Sequence, residues 1–424
     1  MKESSRRGFL AACGLTTLAG CTAPITVGER CGGGATEPAA TGTDDTATAT
    51  PKKTIDLGDD PVWPTFGGNA ANTGHRGDAA GPAEPTTPAW RTDVAGIYTM
   101  PGPVVADDVA FVGSGETAYA VDALTGKPLW DEDMGSLTHY FSPAIGGGQV
   151  LFGAQSNIAS GGDAGRLSSF AFDGTERWQR SLAVTSTPSV VGDTVFVGES
   201  TEERAQLRAI SAADGSDRWT APFSASSVRG APAVVDGVVF ATATKSSEAG
   251  VVAARAVEDG SELWTRPLDT GLQAAPVVQD GTVYVQGNDG RLFALDATTG
   301  EEMWTARMGE NGATAPALTE NRLIGLVENT LVAVDLESGE RAWEAAIGYT
   351  LINGVSVAGE RVYVGGSRLT AVDVDSGESV WEQQVPGQGG GFGAPIVIGN
   401  TMFVGVCIKE EANDPYDDFL YAYL

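Results

Sequence analysis

Two histidines, His75 and His139, and four cysteines, Cys13, Cys21, Cys31 and Cys407, make up the chain's stock of soft metal ligands and nucleophile–base partners. No C-x-x-C pair is present, so a zinc or cluster site lacks its usual ligands. There is no G-x-S-x-G elbow and no phosphate-binding loop. Carboxylates abound, with 55 Asp and Glu against 26 Lys and Arg. Asp373-Val374-Asp375-Ser376-Gly377 begins like a calcium loop, and Glu410, Glu411, Asp414, Asp417 and Asp418 crowd one stretch. The first shares its form with Asp335-Leu336-Glu337-Ser338-Gly339 and reads as a repeated turn; the second reads as a solvated insert. These groups predict no catalytic residue and no metal site.

The formal charge of −29 argues against nucleic-acid binding, which needs clustered cations, and against adsorption to anionic lipid heads. An acidic excess with little Lys suits a protein of a salt-loving microbe. Salt near 1 M shortens the Debye length to about 3 Å and screens carboxylate repulsion. The N-terminus reads as an address. Ser5-Arg6-Arg7-Gly8-Phe9-Leu10 fits the twin-arginine export pattern, and the apolar run that follows to Ala19 is too short to span a bilayer. Leu18-Ala19-Gly20-Cys21 then resembles a lipobox, which makes Cys21 the lipidated first residue of the mature chain. Residues 1–20 are thus expected as signal, and 21–61, rich in Thr, Ala and Gly, as a disordered tether reaching about 35 Å. Threonines are the tether's obvious acceptors if it carries glycans. Cys31 and Cys407 either pair after export or remain thiols.

The elements that must position any site announce themselves through tryptophan. After Trp63, the ring recurs at Trp90, Trp130, Trp178, Trp219, Trp264, Trp304, Trp343 and Trp381, which marks a repeat of about forty residues. Within one unit, Pro276-Val277-Val278, Thr282 to Gln286, Arg291 to Leu295 and Glu301 to Thr305 read as four short strands. D-G, N-D-G and T-G turns separate them. Openings recur at Pro103, Pro143, Pro188, Pro232, Pro276, Pro316, Val355 and Pro395. The eighth unit ends at Leu424 one strand short, and Pro88-Ala89-Trp90-Arg91 can supply it. The count predicts an all-β fold: an eight-bladed β-propeller of four-stranded antiparallel blades over 88–424, closed by its N-terminal strand. Each docked Trp buries about 150–250 Å² between sheets.

The unit ends in A-x-D-x-x-[TS]-G-x-x-x-W, as in Ala120 to Trp130 and Ala294 to Trp304. This run resembles the docking motif of the pyrroloquinoline-quinone (PQQ) repeat propellers. Trp63-Pro64-Thr65-Phe66-Gly67-Gly68-Asn69, with Asn72 and Gly74, resembles the lead-in of secreted members, so residues 62–87 are expected to pack on the propeller. The resemblance implies one of two functional kinds. One kind, quinoprotein dehydrogenases, uses PQQ, calcium, a vicinal Cys-Cys disulfide and an Asp base. The other is non-catalytic and includes the scaffold lipoprotein of the bacterial outer-membrane β-barrel assembly machine. This chain has no vicinal cysteines and lean units. It is read as the non-catalytic secreted lipoprotein kind without a cofactor; the alternative is a PQQ- and calcium-dependent alcohol or sugar dehydrogenase.

A partner is expected at the channel mouth, on the face of the blade-joining loops. Three residues before the openings stand Ile352, Phe392, Met100 and Tyr140, an apolar arc with Tyr98 and His139 beside it, and, farther round, Arg229 and Gln273. Long second-to-third-strand loops in blades two, three, four and eight rise on the same face. The expectation is a monomer, lipid-anchored on the outer face of the cell membrane, that docks a protein, peptide or envelope glycan through aromatic anchors and Arg229 or Gln273. The alternative is that these residues fill the channel by ordinary packing.

Overall fold

The computed structural model describes residues 54–58, 62–84, 87–94, 102–114, 116–135, 139–155, 165–201, 204–312, 314–348, 354–386, 390–409 and 417–424, with backbone alone at 139 and 140. Every regular element among them is a β-strand. The strands form eight sheets in chain order, antiparallel except that His75–Arg76 joins the blade-seven sheet in parallel. Blade five is typical: Val277–Gln279, Thr282–Gln286, Arg291–Asp296 and Glu302–Arg307, from the channel outward. Blade eight combines Ile396–Ile398, Thr401–Ile408 and Asp417–Tyr423 with Pro88–Asp93 from the other end of the chain. In that last sheet Trp90 pairs with Ala422 and Arg91 with Tyr421, so the ring closes on an N-terminal strand.

Burial follows from position in the stack. Second and third strands are covered on both faces by neighbouring blades, and Thr194–Ser200 is buried along nearly its whole length. Outer strands such as Ser379–Gln384 alternate between exposed and buried residues. First-to-second-strand turns need positive φ at both central residues, which Asp236-Gly237 (50° and 78°) and Asp280-Gly281 (47° and 74°) supply.

Each outer strand also carries a bulge one residue before its Trp. Ala294 faces Trp304 and Leu295 faces Glu302, so Met303 is the extra residue. The bulge turns that residue outward, which is why Leu129, Leu263, Met303 and Val380 are exposed. The register also explains the motif's alanine: Ala120, Ala209, Ala254, Ala294, Ala333, Ala371 and Ala422 lie directly opposite an indole, a place taken by Ser169 in blade two.

Candidate functional site: the central channel and its two faces

The tryptophans latch blade to blade. The Trp264 indole N–H donates to Ala297 O of blade five at 2.9 Å, and the same bond recurs from Trp90 to Ala123, Trp130 to Phe172, Trp178 to Ala212, Trp219 to Val257, Trp304 to Leu336 and Trp343 to Val374. The ring lies on the turn glycine of the next blade. A Cβ on Gly300 would come within 2.6 Å of Trp264, and Gly126, Gly174, Gly215, Gly260, Gly339 and Gly377 sit under their own indoles in the same way. The motif's glycine is thus required by a Trp one repeat earlier as well as by its φ of 73°. Trp381 is the exception: its N–H has no partner among the described residues. Its neighbour, blade eight, takes its outer strand from the far end of the chain and so has no third-to-fourth-strand turn to offer a carbonyl. The motif's Asp caps the turn in blades one, five, six and seven, and Asp173, Asp214 and Asp259, farther along, accept from the turn in blades two, three and four. Asp373 Oδ1 accepts from the N–H of Asp375 and Ser376 and from the Ser376 hydroxyl, which makes that stretch a turn.

The lead-in winds around the channel and meets the inner strands in order. Trp63 N donates to Val105 O at 2.7 Å, and Trp63 O accepts from Val105 N at 3.1 Å. Pro64 O accepts from Ile145 N, Ala70 O from Val234 N, Ala71 O from Val278 N, Thr73 O from Leu318 N and Gly74 O from Val357 N, at 2.6–3.0 Å. The Thr65 hydroxyl reaches Pro188 O of blade three, and Ala80 N reaches Gly399 O in the first turn of blade eight. Each of the six donors stands two residues beyond its blade's opening position. One segment, built mostly of turns, therefore satisfies the free channel edge of six blades and touches the other two.

Local chemistry shapes this loop. Asn69 Oδ1 accepts from Ala71 N and Thr73 N, and Gly74 N donates to Gly67 O. Gly68 (φ 75°) lies against the buried Trp63 ring, and a Cβ on Gly67 would collide with the Asn72 backbone. Asn72 Nδ2 donates to Ala231 O and Pro276 O, lashing blades four and five, and this fixes the amide orientation. Its Oδ1 is buried without a hydrogen-bond partner among the described residues, and Asn72 lines a cavity of about 20 Å³ with Phe66, Gly102, Gly354 and Ala394. Phe66 packs on Ala231, Ala275 and Ala315. These are the small residues just before the openings, and they leave room for the ring. His75 pairs with Val357 of blade seven, and burial lowers its pKa against the opposing pull of Asp78.

Of the residues the sequence proposed for the mouth, Arg229 and Gln273 are exposed, and Arg229 Nε donates to the Ser227 hydroxyl. The backbone of His139–Tyr140 pairs with Gln155 and Ala154. Tyr98, Met100 and Ile352 lie outside the described residues, as do Cys21 and Cys31. Phe392 corrects the expectation of an anchor ring. It belongs to an extra strand, Gly390–Phe392, beside the long second strand of blade eight, and it has no exposed surface amid Tyr363, Leu369, Val406 and Tyr421. Of the acidic stretch, Glu410, Glu411 and Asp414 lie outside the described residues and Asp417 is exposed, but Asp418 departs from a solvated insert. It lies in a strand, is buried and accepts from the Ser114 hydroxyl, and burial raises its pKa.

The loop face is uneven. Val238–Ser246 with Ala249–Ala256 in blade four and Thr401–Ile408 in blade eight are long, and in blades two, four and eight an extra short strand pairs with the long one. In blade three Glu199 Oε2 accepts from Gln206 and Arg208, whose guanidinium also reaches Asp217 of the outer strand. This buried network fixes the hairpin's shape. Blades six and seven turn early, at Val327–Thr330 and Val364–Arg368. Among the described residues the strands run farthest on this face in blades three and four, with a second rise at blade eight.

Calcium beside a quinone needs several oxygens converging on one point. Among the described residues no group of three or more His, Cys, Asp or Glu converges. The residues just before the openings are Gly102, Ser142, Thr187, Ala231, Ala275, Ala315, Gly354 and Ala394, none of them acidic.

A family model described as "Outer membrane protein assembly factor BamB" matches residues 163–253 and 248–406. The BamB protein of Moranella endobia (strain PCIT) is 31% identical over 243 residues, which is 53% of this chain and 61% of that protein's length, under two thirds. A quinohemoprotein alcohol dehydrogenase of Comamonas testosteroni is 32% identical over 165 residues, 32% of this chain and 22% of that protein. Among solved structures, a europium-containing methanol dehydrogenase superposes with a TM-score of 0.69 at 14% identity, covering 86% of this chain and 98% of that one, a likeness of fold alone.

Proposed function

We propose a function from the premise that the chain belongs to the PQQ-repeat propeller family described as outer membrane protein assembly factor BamB, whose model covers more than half of it. The chain acts as a non-catalytic scaffold that binds another protein of the cell envelope. The observation that carries this reading is the uneven loop face. Among the described residues the strands that carry the hairpins are longest in blades three, four and eight, on the face where Arg229 and Gln273 are exposed, as a surface for a polypeptide requires. The relatives' name ties them to the assembly of outer membrane proteins; here the corresponding partner is an envelope protein that presents an extended segment. The acidic, Lys-poor composition, the Arg6-Arg7 pair and Cys21 support export by the twin-arginine route and a lipid tether on the outer face of the membrane, in brine.

The test is capture from intact envelopes at high salt, with Arg229→Glu and Gln273→Ala as the altered bait. Retained melting with lost capture supports the reading; unchanged capture by both variants sinks it. The dehydrogenase relative favours a second reading, in which the channel takes a quinone. Among the described residues no group of three or more His, Cys, Asp or Glu converges, and the chain has no vicinal cysteines, which weighs against it. Quinone absorbance and dye reduction after adding PQQ and calcium would establish it instead.

A further inference from the structure

A propeller channel normally has two ends. Here the inner strands of blades one, two, four, five, six and seven each donate an equivalent N–H to a carbonyl of one segment, and that segment's Phe66 ring packs on alanines of three blades. Its approach is fixed as well. Thr54 O accepts from Asn400 Nδ2, and Asp56 O accepts from Asn400 N, in the first turn of blade eight. The segment therefore arrives from the turn face. Its bonds lie two residues down each inner strand, whereas the cavity beside Asn72 is lined by residues at the strand starts, Pro316, Val355 and Pro395. The cavity is on the loop side of the segment.

We propose that residues 62–81 are a built-in stopper, clasped independently of the ring-closing strand, which seals the turn-face end of the channel and makes it a one-ended well. The floor of the well includes Phe66 and Asn72, whose Oδ1 has no hydrogen-bond partner among the described residues, so whatever enters from the loop face meets an aromatic ring and an amide with a spare acceptor. A narrow chain end carrying a hydrogen-bond donor fits that floor; a folded element does not. Only the direction of a partner's approach rests on the binding role proposed above. The stopper stands on intramolecular bonds, so its test involves no partner and its failure is distinct from failure of the scaffold reading.

The experiment is amide hydrogen exchange on the full chain, resolved at Val105, Ile145, Val234, Val278, Leu318 and Val357. In the native protein these six exchange slowly although they face the channel; exchange at solvent rates would overturn the seal. Gly68→Ala places a Cβ 3.0 Å from the Trp63 ring at a φ of 75°, straining the stopper alone. All six amides should then accelerate together by about tenfold or more. Amides joining Pro88–Asp93 to Asp417–Tyr423 should hold their rates. Acceleration confined to Val105 and Ile145 would mean that the segment packs blade by blade, not as a unit. Equal acceleration of the closing strand would mean that stopper and closure are one clasp. If Gly68→Ala does not fold, Asn69→Ala removes the acceptor of Ala71 N and Thr73 N and is read by the same criteria.

Discussion

At the scale of single residues, the repeat motif is a latch assembled from two blades. Indole, turn glycine and turn carbonyl meet across seven of the eight interfaces, with an alanine, or Ser169 in blade two, opposite the indole to make room for it. The Trp264 N–H has its carbonyl and, among the described residues, the Trp381 N–H does not. Trp264→Phe loses ring contacts and strands the Ala297 carbonyl, costing about 2–3 kcal/mol. Trp381→Phe loses ring contacts but no hydrogen bond, and should be milder by about 1 kcal/mol. Chemical denaturation of the two variants measures the difference, and equal losses would show that the indole N–H contributes nothing to the latch.

At the scale of elements, legibility depended on whether the information sits in side chains. The blades were legible because Trp, Asp-Gly and Thr-Gly recur with a fixed period, and closure because the eighth unit lacks an outer strand while Trp90 stands spare. The stopper was legible only in part. Its glycines and asparagines flagged a shaped segment, but its grip on the blades is made by backbone carbonyls, which have no residue signature. The mouth was misread at Phe392 because a constant offset from each opening assumes equal loops. In blade eight the tall hairpin recruits Gly390–Phe392 as an extra strand and swings the ring into the interface between blades seven and eight. Phe392→Ala should therefore act on stability, by about 3–4 kcal/mol, and leave partner capture per folded molecule unchanged. Melting close to that of the unaltered protein would return the ring to the mouth.

At the scale of the whole molecule, two opposed effects of acid can be separated by salt. Asp173, Asp214, Asp259, Asp296, Asp335 and Asp373 cap the outer turns, and hydrogen bonds from their own turns hold their pKa values below the ordinary aspartate range, Asp214 at about 2. A depressed carboxylate contributes stability that is fully present above its unfolded pKa, about 4, and is lost as pH falls through the folded value. The net charge of −29 acts the other way, because protonation relieves self-repulsion. So does buried Asp418, whose raised pKa favours the folded state as it protonates. At low salt, melting should rise as pH falls from 7 toward 5, then drop between about 4 and 2. At molar salt the Debye length shrinks to about 3 Å, repulsion is screened, and most of the rise should vanish while the drop persists. Turn hydrogen bonds are short-range and escape that screening. A drop that disappears with salt would assign acid sensitivity to net charge, and a rise of undiminished size would assign it to buried groups such as Asp418.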